Sequence, residues 1–156
     1  MSEKKPKIPA RGICNATAIR MASRKISHLY DTVLAPTGLK STQFSLLAEL
    51  GRRQSDPPTM LELAQAMTMD RSTLGQNMLL LERDGYVLQE RDRHDGRRRR
   101  LHLTTSGRDV LIKGLPLWED SQKRFEELIG VANTEKLREI LMSIVNGDEM
   151  LRADQA

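Results

Sequence analysis

The sequence predicts a mainly α-helical fold with one small β-hairpin, and three observations carry that prediction. Aromatic residues make up only 3% of the 156-residue chain, so the core has to be built from Leu, Ile, Val and Met, the palette of packed helices. Apolar residues recur at helical spacing in six separate segments, most of them opened by a residue able to cap a helix. Only Tyr86–Arg91 and Arg99–Leu103 read as strands, and Arg93-His94-Asp95-Gly96 between them reads as a turn.

Residues 1–11 hold two prolines and little apolar spacing, which predicts a mobile basic arm. A first helix is expected from Ile13 to Ala35, carrying Ile19, Ile26, Leu29, Val33 and Leu34; Pro36 stops it and Thr37-Gly38 turns the chain. Ser41 is placed to cap a second helix whose Phe44, Leu47, Ala48 and Leu50 face inward, with Gly51 as its end. After the loop Ser55-Asp56-Pro57-Pro58, Thr59-Met60-Leu61-Glu62 forms a capping box that opens a short third helix through Leu63, Ala64 and Met67. Asp70 caps a fourth helix, in which Leu74, Met78 and Leu81 stand at i, i+4 and i+7 before Asp84-Gly85 ends it. Beyond the hairpin, Thr104 caps a long helix carrying Val110, Leu111, Leu115, Trp118, Phe125, Leu128 and Ile129, within which Pro116 should force a kink or a local adjustment. A final helix is expected from about Asn133-Thr134, repeating Leu137, Ile140, Leu141, Ile144 and Val145.

Net charge is +4, and its distribution is uneven: residues 91–100 hold six arginines against two aspartates, whereas residues 108–156 are net acidic. A basic chain with one intense basic spot and an acidic tail points to a polyanion touched at a defined place. The longest apolar run, Met78-Leu79-Leu80-Leu81, is too short to span a bilayer, and no leading apolar segment precedes the arm, so a soluble cytoplasmic protein without a membrane partner is expected. A single cysteine, Cys14, excludes a disulfide framework. His28, His94 and His102 are widely separated, so neither a metal nor any other cofactor is expected. Nothing arranges a nucleophile, base and acid or a glycine-rich phosphate loop, so an enzyme is not expected.

Two short helices, a tight turn, a second helix with polar residues outward and then a hairpin is the order of a winged helix-turn-helix. An α-helix fits the major groove of B-DNA, where each base pair displays a distinct set of donors and acceptors. Several segments resemble the MarR family of bacterial transcriptional regulators: Leu63-Ala64 to Met67, Met69 to Leu74, Leu81 to Val87, and Leu34 to Leu39 with Thr42-Gln43-Phe44. The most specific is Asp95 to Gly107, which is similar to the family's signature D-x-R-x-x-x-L-x-L-T-x-x-G across wing and following helix.

The resemblance implies a homodimer. Segments 12–36 and 108–156 would form its dimerisation helices, and 37–107 the winged DNA-binding domain on a pseudopalindromic double-stranded operator. It further implies a repressor released by a small, aromatic or acidic effector. Both terminal helical segments also carry more apolar surface than one small domain can cover, for which dimerisation is the usual outlet. Arg71, Ser72, Thr73, Gln76 and Asn77 are the expected base-reading side chains, opposite the apolar stripe of the fourth helix. Many relatives carry Arg where Gln76 stands; because Arg pairs with guanine and Gln with adenine, altered base preference is expected there. Arg97 is the expected minor-groove residue, restrained by a charge-assisted bond to Asp95. Arg93, Arg98 and Arg99 are expected on phosphates, and Thr42-Gln43 at a helix N-terminus could add another such contact.

Arg20, Arg24 and His28 along one side of the first helix, with Trp118 as an apolar wall, are the candidate effector contacts. Two alternatives stand beside this reading. One is a redox-sensing repressor using Cys14, although Cys14 falls about two residues before the position that peroxide sensors of the family use, and Arg20 and Phe44 replace the tyrosines of those sensors. The other is a winged helix that binds DNA without sequence preference or serves protein contact.

Overall fold

The structure, a computed structural model, describes residues 7–147; residues 1–6 of the expected arm and 148–156 of the expected final segment lie outside the described residues. The order is α1 (Asn15–Leu34), a 3₁₀ turn (Ala35–Thr37), α2 (Ser41–Arg52), α3 (Met60–Ala66), α4 (Arg71–Arg83), β1 (Val87–Arg91), β2 (Arg99–Leu103), α5 (Thr105–Ile129) and α6 (Val131–Asn146).

Local chemistry sets most of these boundaries. Thr59 and Glu62 form the expected capping box, the Glu62 amide donating to Thr59 Oγ1 at 3.2 Å and the Thr59 amide to Glu62 Oε2 at 2.8 Å. Thr104 accepts from the Gly107 amide at 3.0 Å and donates its hydroxyl to Gly85 O at 2.6 Å, so one residue caps α5 and pins it to the hairpin root. Gly38 leaves the 3₁₀ turn at φ 75, a left-handed value that glycine adopts without strain.

α1, α3 and β1 stop one or two residues short of their expected limits, at Asn15–Leu34, Met60–Ala66 and Val87–Arg91, and three further boundaries differ for identifiable reasons. Ser41 does not cap α2: it is the first helical residue, and its amide donates to Asp31 Oδ1 at 2.7 Å, a carboxylate ten positions earlier on α1. Gly51 does not end α2 but lies inside it, where an added Cβ would stand 3.2 Å from Leu111 of α5. α6 starts at Val131 because Gly130, at φ 86, makes the break; Thr134 sits in the first turn with its hydroxyl donating to Gly130 O at 2.9 Å. α5 runs on as a single helix through Pro116.

α2, α3, α4 and the hairpin close around Leu46, Leu47, Leu63, Leu74, Met78, Leu81 and Leu101, all 2% exposed or less. Burying a side chain of this kind contributes roughly 1.5–3 kcal/mol. β1 and β2 pair antiparallel from Val87↔Leu103 to Arg91↔Arg99. The amide of Leu101 points the other way and donates to Pro58 O at 2.8 Å, tying the hairpin to the start of α3. α1 and α6 both pack on α5. They leave Ile19, Met21, Ile140, Leu141, Met142, Ile144 and Val145 exposed.

Candidate nucleic-acid interface

The amphipathic spacing of α4 turns Leu74, Met78 and Leu81 into the core, and so leaves Arg71, Ser72, Thr73 and Gln76 exposed. The five residues expected to read bases do come together here, but they are not equally free. The Thr73 hydroxyl donates to Asp70 Oδ2 at 2.6 Å and its amide to Oδ1 at 2.8 Å, holding the Asp70 carboxyl below its ordinary range. The half-buried Asn77 folds back, its Nδ2 donating to Thr73 O at 2.9 Å. Arg71, Ser72 and Gln76 are therefore the side chains of α4 whose polar atoms are unspent among the described residues. Helix capping and i−4 bonding compete for short polar side chains in the early turns of a helix, so Thr73 and Asn77 are less available than the other three.

The loop between β1 and β2 is organised by its two aspartates. Asp92 Oδ1 accepts the His94 amide at 2.8 Å and Oδ2 accepts Arg100 Nε at 2.7 Å, and together these bonds bring the carboxyl down to about 2. Asp95 does not hold the Arg97 guanidinium as expected. It accepts the Arg97 backbone amide at 3.1 Å and pairs instead with Arg98 Nε at 3.4 Å. The reason is geometric: an Asx-type turn uses the carboxylate on the amide two residues on, which aims the Arg97 side chain outward. Arg93, Arg97 and Arg99 are exposed and form no ion pair among the described residues, whereas Arg98 is tethered.

Sequence reasoning missed Arg100 as a buttress. Beyond its bond to Asp92, its Nη1 donates to Pro57 O at 2.8 Å and to Glu62 Oε2 at 3.2 Å, joining the hairpin to the α3 capping box. These partners keep its proton more firmly than in free arginine, Asp92 contributing most. Glu62 is held below its usual range, chiefly by the Thr59 amide and then by Arg100. No periodic pattern links positions 43 and 38 residues apart, so the sequence carried no signal for this role.

At the start of α2 the expectation for Thr42-Gln43 changes. Gln43 Oε1 accepts the Lys40 amide at 2.9 Å, and Asp31 already occupies the Ser41 amide, with Lys40 Nζ 3.6 Å from the same carboxylate. A helix terminus already occupied by a carboxylate of the preceding helix offers a phosphate much less.

The candidate effector residues line neither of two cavities formed by the described residues. Arg20, Arg24 and His28 are exposed on the side of α1 away from the apolar groove of about 850 Å³ between α1, α5 and α6, and Trp118 also lies outside its lining. That groove is lined instead by Ile19, Ile26, Tyr30, Phe125, Leu137 and Leu141, among others. Tyr30 donates its hydroxyl to Gln122 Oε1 inside it, and burial raises the phenol above its ordinary value. Cys14 precedes α1, exposed, its thiol lowered by hydrogen bonds from the Thr17 hydroxyl and amide. Among the described residues no three His, Cys, Asp or Glu side chains cluster to hold a metal. No described helix is long and apolar enough to cross a membrane.

The sequence model described as the MarR family matches residues 37–98 of this chain. A search of curated protein sequences gave no match. Among solved structures, the M. tuberculosis transcriptional regulator MosR is 31% identical, covering 90% of this chain and 99% of its own, with a TM-score of 0.77. The complex of that regulator with DNA is 32% identical over 89% of this chain and 98% of its own, again at a TM-score of 0.77. The transcriptional repressor CouR, bound to a 23-mer DNA duplex, is 25% identical over 88% of this chain and 99% of its own, with a TM-score of 0.75. An arginine-edged hairpin beside an outward-facing polar helix, on a backbone and sequence matched from end to end of such a regulator, leaves one assignment: the chain belongs to the MarR family of transcriptional regulators.

Proposed function

We propose that the protein is a homodimeric, sequence-specific DNA-binding regulator of the bacterial cytoplasm, acting as a repressor that a small effector releases. The observation that carries this reading is the free polar surface of α4, Arg71, Ser72 and Gln76, on a helix packed against the hairpin whose loop exposes arginines 93, 97 and 99. In this reading α4 enters the major groove, Arg97 reaches the adjacent minor groove, and Arg93, Arg98 and Arg99 meet phosphates. Residues 37–107 form the DNA-binding unit, and segments 12–36 and 108–156 the dimerisation helices. The exposed apolar side chains of α1 and α6 support that division, because a contiguous apolar surface of this kind marks an interface.

Footprinting on DNA upstream of genes next to its own tests the reading. Two protected half-sites about 10 base pairs apart are expected, from a particle of twice 17.7 kDa. Salt-sensitive retardation of every fragment, with no footprint, would instead favour binding without sequence preference. One observation favours a second mode of release, through oxidation: the exposed Cys14 thiol is drawn toward its reactive thiolate form by Thr17. Peroxide release of operator DNA from the wild type, absent in Cys14→Ser, is the outcome that reading requires.

A further inference from the structure

A second cavity, of about 210 Å³, lies between the end of α2, the outer edge of β2 and the first turns of α5, away from the arginine loop. Arg53, Gln54, Arg108 and His102 line it above the buried side chains of Leu50 and Leu101. We propose that this cavity binds a compact oxyanion, a carboxylate or a phosphate, through the Leu103 amide and the guanidinium groups of Arg108 and Arg53.

Strand geometry supplies the first donor. The Leu101 amide turns away from β1 to reach Pro58 O, and residues two apart on a strand point the same way. The Leu103 amide is therefore also directed away from β1, on the edge that lines the cavity, and it donates to no backbone carbonyl among the described residues. The second donor is Arg108: its Nη2 spends one hydrogen on the neutral Gln54 Oε1 at 2.9 Å, and it enters no ion pair among the described residues. The third, Arg53, is only 25% exposed, and its carboxylate partner Asp56 stands off at 3.5 Å and is itself 76% exposed. No Asp or Glu is among the residues that line the cavity, and Glu90 stands 3.7 Å from His102 Nε2.

Two cations and a backbone amide facing a common space are the donor set that a planar or tetrahedral oxyanion accepts with charge-assisted bonds. The size limits the ligand. At about 30 Å³ per water the volume holds roughly seven waters, below the ~300 Å³ at which pockets begin to take drug-sized molecules. Phosphate or a carboxylate of a few carbons fits; a nucleotide does not. This site is independent of the DNA-binding reading, since its donors lie at the hairpin root rather than at its tip.

The test is an NMR titration of the full chain with sodium acetate and, separately, with inorganic phosphate, at an ionic strength held constant with chloride. Saturable shifts at the Leu103 amide and at the Nε–H signals of Arg53 and Arg108 are expected from acetate, phosphate or both, and which one saturates identifies the source. Arg108→Gln and Arg53→Gln should each weaken binding at least tenfold, with Arg93→Gln unchanged. Shifts that grow linearly and are matched by chloride would overturn the site. So would saturable binding that survives in the Arg53→Gln/Arg108→Gln double variant. Loss of operator affinity in anion-free Arg108→Gln would overturn it as well, placing the cavity on the DNA surface.

Discussion

Gly107 offers a stringent check on how the hairpin is fixed to α5. A Cβ added there would stand 2.1 Å from Tyr86 O and 2.8 Å from Leu103 Cδ1. The first neighbour is main chain, so no rotamer change relieves it, and the first turn of α5 has to move off the hairpin root by about 1 Å to restore van der Waals contact. The same carbonyl accepts the Thr104 amide at 3.0 Å, a bond that this movement stretches. Overpacking of this kind costs typically 1–3 kcal/mol, and the strained hydrogen bond adds about 1. Against these, Gly→Ala gains about 1 kcal/mol of helix propensity. Gly107→Ala is thus expected to destabilise by about 2 kcal/mol, lowering Tm by about 4–8 °C for a chain of this size. Gly75, inside α4 with nothing within 4 Å of its missing Cβ, is the internal control. There the same substitution should stabilise by about 0.5–1 kcal/mol. Urea denaturation at one fixed protomer concentration reads both, since association would otherwise shift the midpoints. If Gly107→Ala and Gly75→Ala move the midpoint in the same direction, the close approach of α5 to Tyr86 is refuted.

Arg99→Ala should flatten the log–log salt dependence of operator binding by about 1.8, two lost phosphate contacts per dimer at about 0.9 each. Arg97→Ala should abolish the preference for operator over unrelated DNA, and intact preference in a competition assay would end its minor-groove role. Gln76→Arg should move the preferred base at one position of each half-site from adenine toward guanine; identical sequences recovered in a selection experiment would refute base contact by residue 76. The Asp92 carboxyl sits at about 2 in the folded chain, below the value of about 3.9 expected when unfolded. Its contribution to stability is therefore complete above pH ~4 and is lost as the pH falls toward ~2. Urea midpoints of the wild type should drop through that window more steeply than those of Asp92→Asn, and parallel curves would contradict the bonding described for Asp92.

Most of the fold was legible because its signals are local. Thr59 with Glu62, Asp70 with Thr73 and Thr104 with Gly107 each act across three residues, and all three caps stand where the sequence places them. The strand limits Arg99–Leu103 also follow directly from the sequence. What sequence reading missed depends on contacts between distant positions. Asp31 caps α2 from another helix, and Arg100 reaches Pro57 across 43 residues. Gly51 looks like a helix end and is instead a close contact with Leu111. At the candidate nucleic-acid interface the sequence reading singles out α4 and the arginine loop but not the division of labour within them. Whether Thr73 or Asn77 spends its hydrogen bonds on its own helix is decided by rotamers, not by residue type. The grouping of Arg20, Arg24 and His28 was sound as a helix face, yet nothing in that periodicity says which face of α1 meets α5 and α6.

α5 is one rod of 25 residues, about 37 Å long at 1.5 Å per residue. One end is clamped to the root of the hairpin through Thr104, and the other leads through Gly130 into α6. Such a rod works as a lever: a tilt of about 10° at the α6 end sweeps the hairpin end through about 6 Å, a distance comparable to the ~6 Å width of a minor groove. In the proposed homodimer, small adjustments in how the protomers seat against each other would thereby be geared up into the difference between arginines that meet the duplex and arginines that miss it.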